Sequence, residues 1–126
     1  MTDAYYVTAF FILLIGAALG SFLNVCIFRL PLGVSIVSPP SACRFCGCRI
    51  PWYDNIPVLS FILLKGKCRS CDAALSAQYP VVEGMSALLL TANYFFAGGI
   101  TVEFISGSVL ILIMLLIAIL DFRHYW

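Results

Sequence analysis

Long apolar stretches alternate with shorter polar segments along this chain of 126 residues. The first stretch, residues 5–28, contains no charged residue and is long enough to cross a hydrocarbon core at about 1.5 Å per residue. A cleaved signal peptide is the alternative, but the stretch is too long, Asp3 precedes it, and no small-residue cleavage site comes before Arg29. We therefore predict a transmembrane helix within residues 1–28.

Two further apolar stretches follow a longer polar segment. One begins near Pro80, a residue suited to the first position of a helix, and predicts a second transmembrane helix over residues 80–97. The other predicts a third over residues 104–122, ending at Asp121. Glu83 lies in the predicted first turn of the second helix, where a carboxylate suits the helix dipole, so we interpret it as a capping residue.

The first helix carries small residues at a regular spacing. Gly16 and Gly20 form a Gly-x-x-x-Gly pattern, continued by Ala17 and Ser21, which predicts the close approach of another helix. An intramembrane substrate groove is the alternative, but packing is favoured because such pairs are common in spanning helices. Asn24 is polar and deep, and we expect it to bond to a neighbouring helix.

Composition agrees with a membrane protein, since 63% of the residues are hydrophobic and 10% are charged. A soluble domain has about 25% charged residues. The predicted fold class is an all-α membrane protein, in which three transmembrane helices carry one small extramembrane unit. That unit is residues 29–79, between the first and second helices. Within it, the apolar residues 57–64 are too few to span, so we expect them to lie on the bilayer or to pack over the rest of the unit.

Four cysteines of this unit form two Cys-x-x-Cys pairs, Cys43 with Cys46 and Cys68 with Cys71. A two-residue gap lets one tight turn aim both thiolates at one ion, and tetrahedral zinc needs four ligands at about 2.3 Å. The 21-residue spacer between the pairs is just longer than usual. We predict a structural zinc site; free thiols and disulfides are the alternatives. Cys48 is interpreted as a bystander, because its one-residue gap to Cys46 fits a chelating turn poorly.

Basic residues are concentrated between residues 29 and 80, where Asp54 and Asp72 are the only acidic residues. The cations are Arg29, Arg44, Arg49, Lys65, Lys67 and Arg69. Because Lys and Arg accumulate in cytoplasmic loops, we place the unit in the cytoplasm and the N-terminus on the opposite, periplasmic side. A reducing cytoplasm also favours zinc over disulfides. Six dispersed cations on a membrane loop more often set the orientation of the protein in the membrane and contact lipid headgroups than bind nucleic acid. We therefore expect membrane lipids as partners and do not expect nucleic acid.

Asp121 is the candidate catalytic residue, because an acid at a membrane boundary is a functional hypothesis by default. The alternative is an interfacial carboxylate that reaches water beside Arg123. Two carboxyl groups can hydrolyse a peptide, one as base and one as acid, and a Glu83–Asp121 pair is the weak hypothesis for both. His124, one helical turn further on, is interpreted as a bystander or hydrogen-bond partner.

Six segments, in this order and spacing, resemble the type IV prepilin leader peptidases. They are GSFLNVCIFRLP (20–31), PPSACRFCG (39–47), WYDNIPVLS (52–60), LKGKCRSC (64–71), YPVVE (79–83) and DFRHYW (121–126). The resemblance implies a multi-pass aspartic endopeptidase of the bacterial inner membrane. Such enzymes cleave the basic leader of prepilins and pseudopilins of pilus and type II secretion systems on the cytoplasmic side. Many also methylate the new N-terminus with S-adenosylmethionine.

At the positions that match the family's motifs, the resemblance implies that Asp121 is the first catalytic aspartate. It also implies four zinc ligands, namely Cys43, Cys46, Cys68 and Cys71. The family's second catalytic aspartate lies in a later Gly-x-Gly-Asp motif that these 126 residues do not contain. The sequence therefore resembles an N-terminal portion, which we expect to be inactive without that motif. A non-catalytic membrane zinc-knuckle module for pilus or secretion assembly is the alternative, and a membrane zinc protein unrelated to pili is a third. The methyl-donor site and oligomeric state stay open.

Overall fold

A computed structural model describes residues 2–33, 35, 43, 46–51, 53, 56–74 and 77–125, with residues 124 and 125 described in their backbone only. The described residues are mostly helical, as predicted. Helix α1 is Thr2–Arg29, followed by a 3-10 turn at Leu30–Leu32; α2 is Leu59–Leu63, α3 is Gln78–Ala97 and α4 is Val102–Tyr125. Arg44 and Asp54, used above in the charge argument, lie outside the described residues.

Helices α1 and α3 pack backbone against backbone at the Gly-x-x-x-Gly pattern. A Cβ atom on Gly16 would lie 2.7 Å from Cα of Ala87, and one on Gly20 would lie 2.7 Å from Cα of Glu83. The Ser86 hydroxyl, fully buried, donates a 2.6 Å hydrogen bond to the Gly16 carbonyl. The prediction of close helix packing is confirmed.

Side chains from all three long helices fill the rest of the bundle. Near the N-terminus of α1, the Tyr94 ring stacks on Tyr5 at 5.0 Å and meets Phe104 edge-on at 5.8 Å. Toward the other end, a second buried cluster joins residues of α1, α3 and α4, namely Leu23, Ile27, Val82 and Leu115. The start of α3 therefore lies beside the end of α1, so the residues between these helices leave the bundle at that end.

Asn24 bonds to a neighbouring helix, as expected. It is 1% exposed, and its amide donates a 3.1 Å hydrogen bond to the carbonyl of Tyr79 in α3. Cys26 is likewise buried in the helix interface.

Two of the three predicted transmembrane helices qualify as candidate spans by length and composition. These are Thr2–Leu32, with a mean hydropathy of 2.3, and Val102–Arg123, with 2.6. The α4 window is only 6% buried inside the protein, so most of its apolar surface faces outward. Helix α3 carries polar side chains toward the bundle, among them Ser86 and Asn93, which lower its hydropathy. A membrane crossing by residues 80–97 stays a prediction.

Helices α3 and α4 have boundaries that lie two or three residues from the predicted ones, including a start of α4 at Val102 where residue 104 was predicted. Helix α3 begins at Gln78, so Pro80 is its third residue and not its first. This costs no hydrogen bond, because the first four N–H groups of a helix have no partner within the helix. Helix α4 continues to Tyr125, past the predicted end at residue 122, so Asp121 lies within its last turns.

We predict that Gly20→Ala destabilises the bundle and that Gly84→Ala does not. The new methyl at residue 20 would meet the Glu83 backbone, and overpacking of this kind costs about 1–3 kcal/mol. Gly84 is a matched control: it lies within α3 with nothing within 4 Å of a new Cβ, and replacing a helical glycine by alanine gains about 0.5–1 kcal/mol. Thermal unfolding in detergent micelles measures both, and equal midpoints would contradict the packing.

Candidate metal centre and carboxylates

The fold brings the four cysteines of the two Cys-x-x-Cys pairs together. The sulfur atoms of Cys43, Cys46, Cys68 and Cys71 all lie within 4.8 Å of one another. The Cys43–Cys71 sulfurs are 3.7 Å apart and the Cys46–Cys68 sulfurs 3.9 Å apart. A tetrahedral site with bonds of about 2.3 Å places its sulfurs about 3.8 Å apart, whereas a disulfide bond is about 2.05 Å long. No disulfide bond joins these four cysteines, and the spacing of their sulfurs fits one metal ion.

The two cysteine pairs share the same pattern of backbone hydrogen bonds. Each turn is closed by two hydrogen bonds: Cys43 N to Cys48 O and Gly47 N to Cys43 O in the first, Cys68 N to Ala73 O and Asp72 N to Cys68 O in the second. The residue after each pair is left-handed, with φ of 72° at Gly47 and 56° at Asp72. Glycine adopts this conformation freely and aspartate tolerates it better than most residues. The sequence therefore encodes two matching chelating turns.

The chemistry of the cluster suits a cation. A backbone hydrogen bond from Ala73 lowers the pKa of the Cys71 thiol, but desolvation and the neighbouring thiols outweigh it and raise that pKa to about 12. Four thiolates confined to this volume would repel one another, and a bound cation would offset that repulsion.

Cys48 lies outside this cluster. Its side chain is exposed, and its contribution to the first turn is the backbone carbonyl that accepts from Cys43 N. The geometry agrees with the interpretation of Cys48 as a bystander.

Glu83 has a role that the sequence did not predict. Because α3 begins at Gln78, Glu83 is outside the first turn, and the interpretation of Glu83 as a cap of its own helix is wrong. Its carboxylate, in a residue 6% exposed, accepts a 2.5 Å hydrogen bond from the backbone N–H of Val58. Val58 has φ of 60°, a rare conformation for a β-branched residue, and directly precedes α2. Glu83 thus ties α2 to the bundle across 25 residues.

Asp121 is exposed near the end of α4. The guanidinium of Arg123 lies 4.3 Å from the centre of the Phe28 ring in α1, and that ring is 5.2 Å from Tyr79 in α3. Among the residues described, no ion pair joins Asp121 to Arg123, since the arginine packs on Phe28 instead. The end of α4 therefore lies where the cysteine-bearing residues leave the bundle.

The structure does not join Glu83 and Asp121 into a pair. The Glu83 carboxylate is buried against Val58, whereas Asp121 faces outward. Helix α4 continues through His124, one turn beyond Asp121, but the His124 side chain lies outside the described part of the chain.

The family model described as Bacterial Peptidase A24 N-terminal domain matches residues 14–97. A protein of Myxococcus xanthus named prepilin leader peptidase/N-methyltransferase is 42% identical over 121 residues, which cover 93% of this chain and 35% of the relative. Proteins with the same name from Klebsiella pneumoniae and Bacillus subtilis are 41% and 38% identical, covering 88% and 84% of this chain.

The chain spans about a third to a half of the length of these relatives, namely 35%, 51% and 42%. No solved structure matches it. The matched region contains both cysteine turns and Glu83, while Asp121 lies outside residues 14–97 but within the α4 helix.

We predict that Glu83→Ala loosens the start of α2. The substitution leaves the Val58 N–H without its partner, which costs about 1–3 kcal/mol. Hydrogen exchange at the Val58 amide should accelerate about tenfold or more, because 1.4 kcal/mol corresponds to a factor of ten. Glu103→Ala, at an exposed carboxylate in the first turn of α4, is the control and should leave that amide unchanged. Unaltered exchange at Val58 in both variants would show that Glu83 does not hold α2.

Proposed function

The chain belongs to the bacterial family of peptidase A24 N-terminal domains, and we propose that it contributes this domain to a membrane aspartic endopeptidase. The substrates are type IV prepilins and pseudopilins, whose basic leader is removed on the cytoplasmic side. Methylation of the new N-terminus with S-adenosylmethionine accompanies cleavage. The names of the relatives, prepilin leader peptidase/N-methyltransferase, support both activities, and the two long apolar helices support a bacterial membrane protein.

The contact of Arg123 with Phe28 is the observation that carries this proposal. It brings the last turns of α4, with Asp121, to the end of the bundle from which the cysteine unit, residues 29–79, extends. A carboxylate at a membrane boundary is well placed to act on a peptide that enters from the aqueous side. Asp121 is the proposed catalytic carboxylate.

Hydrolysis by an aspartic peptidase needs a second carboxyl group, because one must accept a proton from water while the other donates one. Glu83 does not fill this role, since its carboxylate is buried and accepts the Val58 N–H. The resemblance to the prepilin peptidases implies that the second carboxyl belongs to a Gly-x-Gly-Asp motif, which these 126 residues do not contain, and we expect them to cleave no prepilin by themselves.

The metal held by the cysteines is proposed to be zinc, with Cys43, Cys46, Cys68 and Cys71 as its ligands. A site with four cysteine ligands is closed, so this zinc would fix the two turns and take no part in hydrolysis. The unit faces the cytoplasm at the inner membrane, with the N-terminus in the periplasm, because its lysines and arginines far outnumber its acidic residues. Among the residues described, Arg49, Lys65, Lys67 and Arg69 are exposed.

The outward position of Asp121 also favours a second candidate function. A carboxylate that meets no partner among the described residues suits a non-catalytic module, in which the zinc unit binds pilus or secretion proteins at the membrane. The two functions differ in whether Asp121 is needed for cleavage.

We predict one zinc ion per chain, measured by elemental analysis of the purified protein. Cys→Ser at residue 43, 46, 68 or 71 should remove most of this zinc, because three thiolates leave a structural site incomplete. Cys48→Ser is the matched control and should retain the full amount, since Cys48 lies outside the cluster. Equal zinc loss at Cys48 would contradict the ligand assignment.

Asp121→Asn should abolish cleavage without loss of zinc. The assay uses a chimera in which these 126 residues replace the matching part of the Myxococcus xanthus relative, and it measures the processed fraction of a prepilin. Loss of a general acid or base reduces the rate by about 100-fold to 10,000-fold. Glu103 is an exposed carboxylate at the other end of α4, and the chimera with Glu103→Gln is the control that should cleave normally.

Unchanged cleavage in Asp121→Asn would favour the non-catalytic module. Cleavage by the unfused 126-residue chain would contradict the assignment of the second carboxyl to a group outside it. The zinc content of every variant shows whether the cysteine unit is intact.

A further inference from the structure

Helix α2 has an exposed apolar face, formed by Leu59, Ile62 and Leu63. These side chains are 51%, 63% and 70% exposed. Residues three and four apart share one side of a helical turn, so the three make one continuous face. On the inner side, Ser60 is buried and the Phe61 ring lies against Gly66. Helix α2 therefore packs on the protein with one side and exposes apolar side chains on the other.

Basic residues border this apolar face. Lys65 and Lys67 lie two and four residues after Leu63, the last residue of α2, and both are exposed. Arg49 and Arg69 in the same unit are also exposed. Asp72 is the one acidic residue described between residues 46 and 74. Apolar side chains with basic neighbours match the boundary between acyl chains and anionic headgroups.

The hydrogen bond to Glu83 fixes the position of α2 along the axis of the helix bundle. Glu83 packs against Gly20, so α2 begins at the level of Gly20 in α1. At the far end of α1, Tyr5 stacks with Tyr94 and meets Phe95, an aromatic group typical of the opposite membrane interface.

These two levels are separated by less than the thickness of a bilayer core. From residue 5 to residue 20 is 15 residues, or about 22 Å at 1.5 Å per residue, whereas the hydrocarbon core is about 30 Å thick. The start of α2 therefore falls within the last 10 Å or so of the core, which is the depth at which interfacial helices lie.

We propose that α2 is a membrane-inserted anchor for the cysteine unit. Leu59, Ile62 and Leu63 enter the acyl chains of the lipid leaflet, while Lys65 and Lys67 contact the phosphates of anionic headgroups. The anchor holds the cysteine unit against the membrane surface beside the end of α4. It does not depend on the peptidase activity.

Tryptophan fluorescence in vesicles tests this anchor. The full chain, with Trp52→Phe and Trp126→Phe, carries Leu63→Trp as its one tryptophan. It is placed in vesicles of phosphatidylcholine and anionic phosphatidylglycerol, with or without bromine near the carbonyl end of the acyl chains. Bromine should lower the emission about twofold or more, because the side chain lies within the acyl region. Ile62→Trp in the same background is a second reporter, in case one substitution disturbs the fold.

Ser70→Trp is the matched control, because Ser70 is exposed in the second cysteine turn and is not part of the apolar face. Bromine should leave its emission nearly unchanged, and aqueous acrylamide should quench it strongly. Replacing the anionic lipid by neutral lipid should reduce the quenching at residue 63, and Lys65→Asn with Lys67→Gln should remove this lipid dependence.

Two results would overturn the proposal. Strong acrylamide quenching with no bromine effect at residues 62 and 63 would place α2 in water. Protection from both quenchers would show that protein, and not lipid, covers the apolar face.

Discussion

The backbone contact between α1 and α3 at Gly16 and Gly20 determines where the other parts of this molecule lie. Without side chains at these two positions, the helices approach until a single added methyl group would overlap the opposite backbone. This proximity lets Ser86 reach the Gly16 carbonyl and places Glu83 directly beside Gly20. Glu83 then holds Val58, so the cysteine unit is attached to a rigid pair of helices.

The small size of the cysteine unit is the reason that a bound metal ion would stabilise it. Between residues 43 and 74 the described part of the chain has one five-residue helix and few buried apolar side chains, so hydrophobic burial contributes little. Small domains of this kind usually need disulfides or metals to be stable. The two matching turns supply four sulfurs at the spacing of one tetrahedral site. A metal ion bound there would join two turns that are separated by 21 residues in the sequence.

Helix α4 differs from α1 and α3 in how it meets the rest of the bundle. Its most apolar window is only 6% buried, and one side of the helix contacts the bundle, through Phe104 against Tyr94, Leu115 in the buried cluster, and Arg123 against Phe28. The apolar surface on the other side is suited to acyl chains or to other apolar helices. The Arg123 contact holds the last turns of α4 against α1, while Asp121 in the same turns is exposed.

Sequence by itself determined the elements and their local chemistry. Uninterrupted apolar stretches predicted three long helices, the Gly-x-x-x-Gly spacing predicted a close helix contact, and the Cys-x-x-Cys spacing predicted a chelating cluster without Cys48. All of these are short-range patterns, in which residues a few positions apart act together. Asp121 was identified in the same way, as an acid at the end of an apolar stretch. Its catalytic role rests on the resemblance to the family and was not determined by the structure.

Tertiary structure decided the partners of the polar side chains. From sequence, Glu83 was interpreted as a cap of its own helix, whereas its carboxylate binds the amide of Val58, 25 residues earlier. An Asp121 that reaches water beside Arg123 was the alternative considered from sequence, whereas Arg123 packs on Phe28. A buried carboxylate or an interfacial guanidinium takes whichever partner the fold brings within reach, and that depends on how helices distant in sequence are packed. No local pattern contains this information.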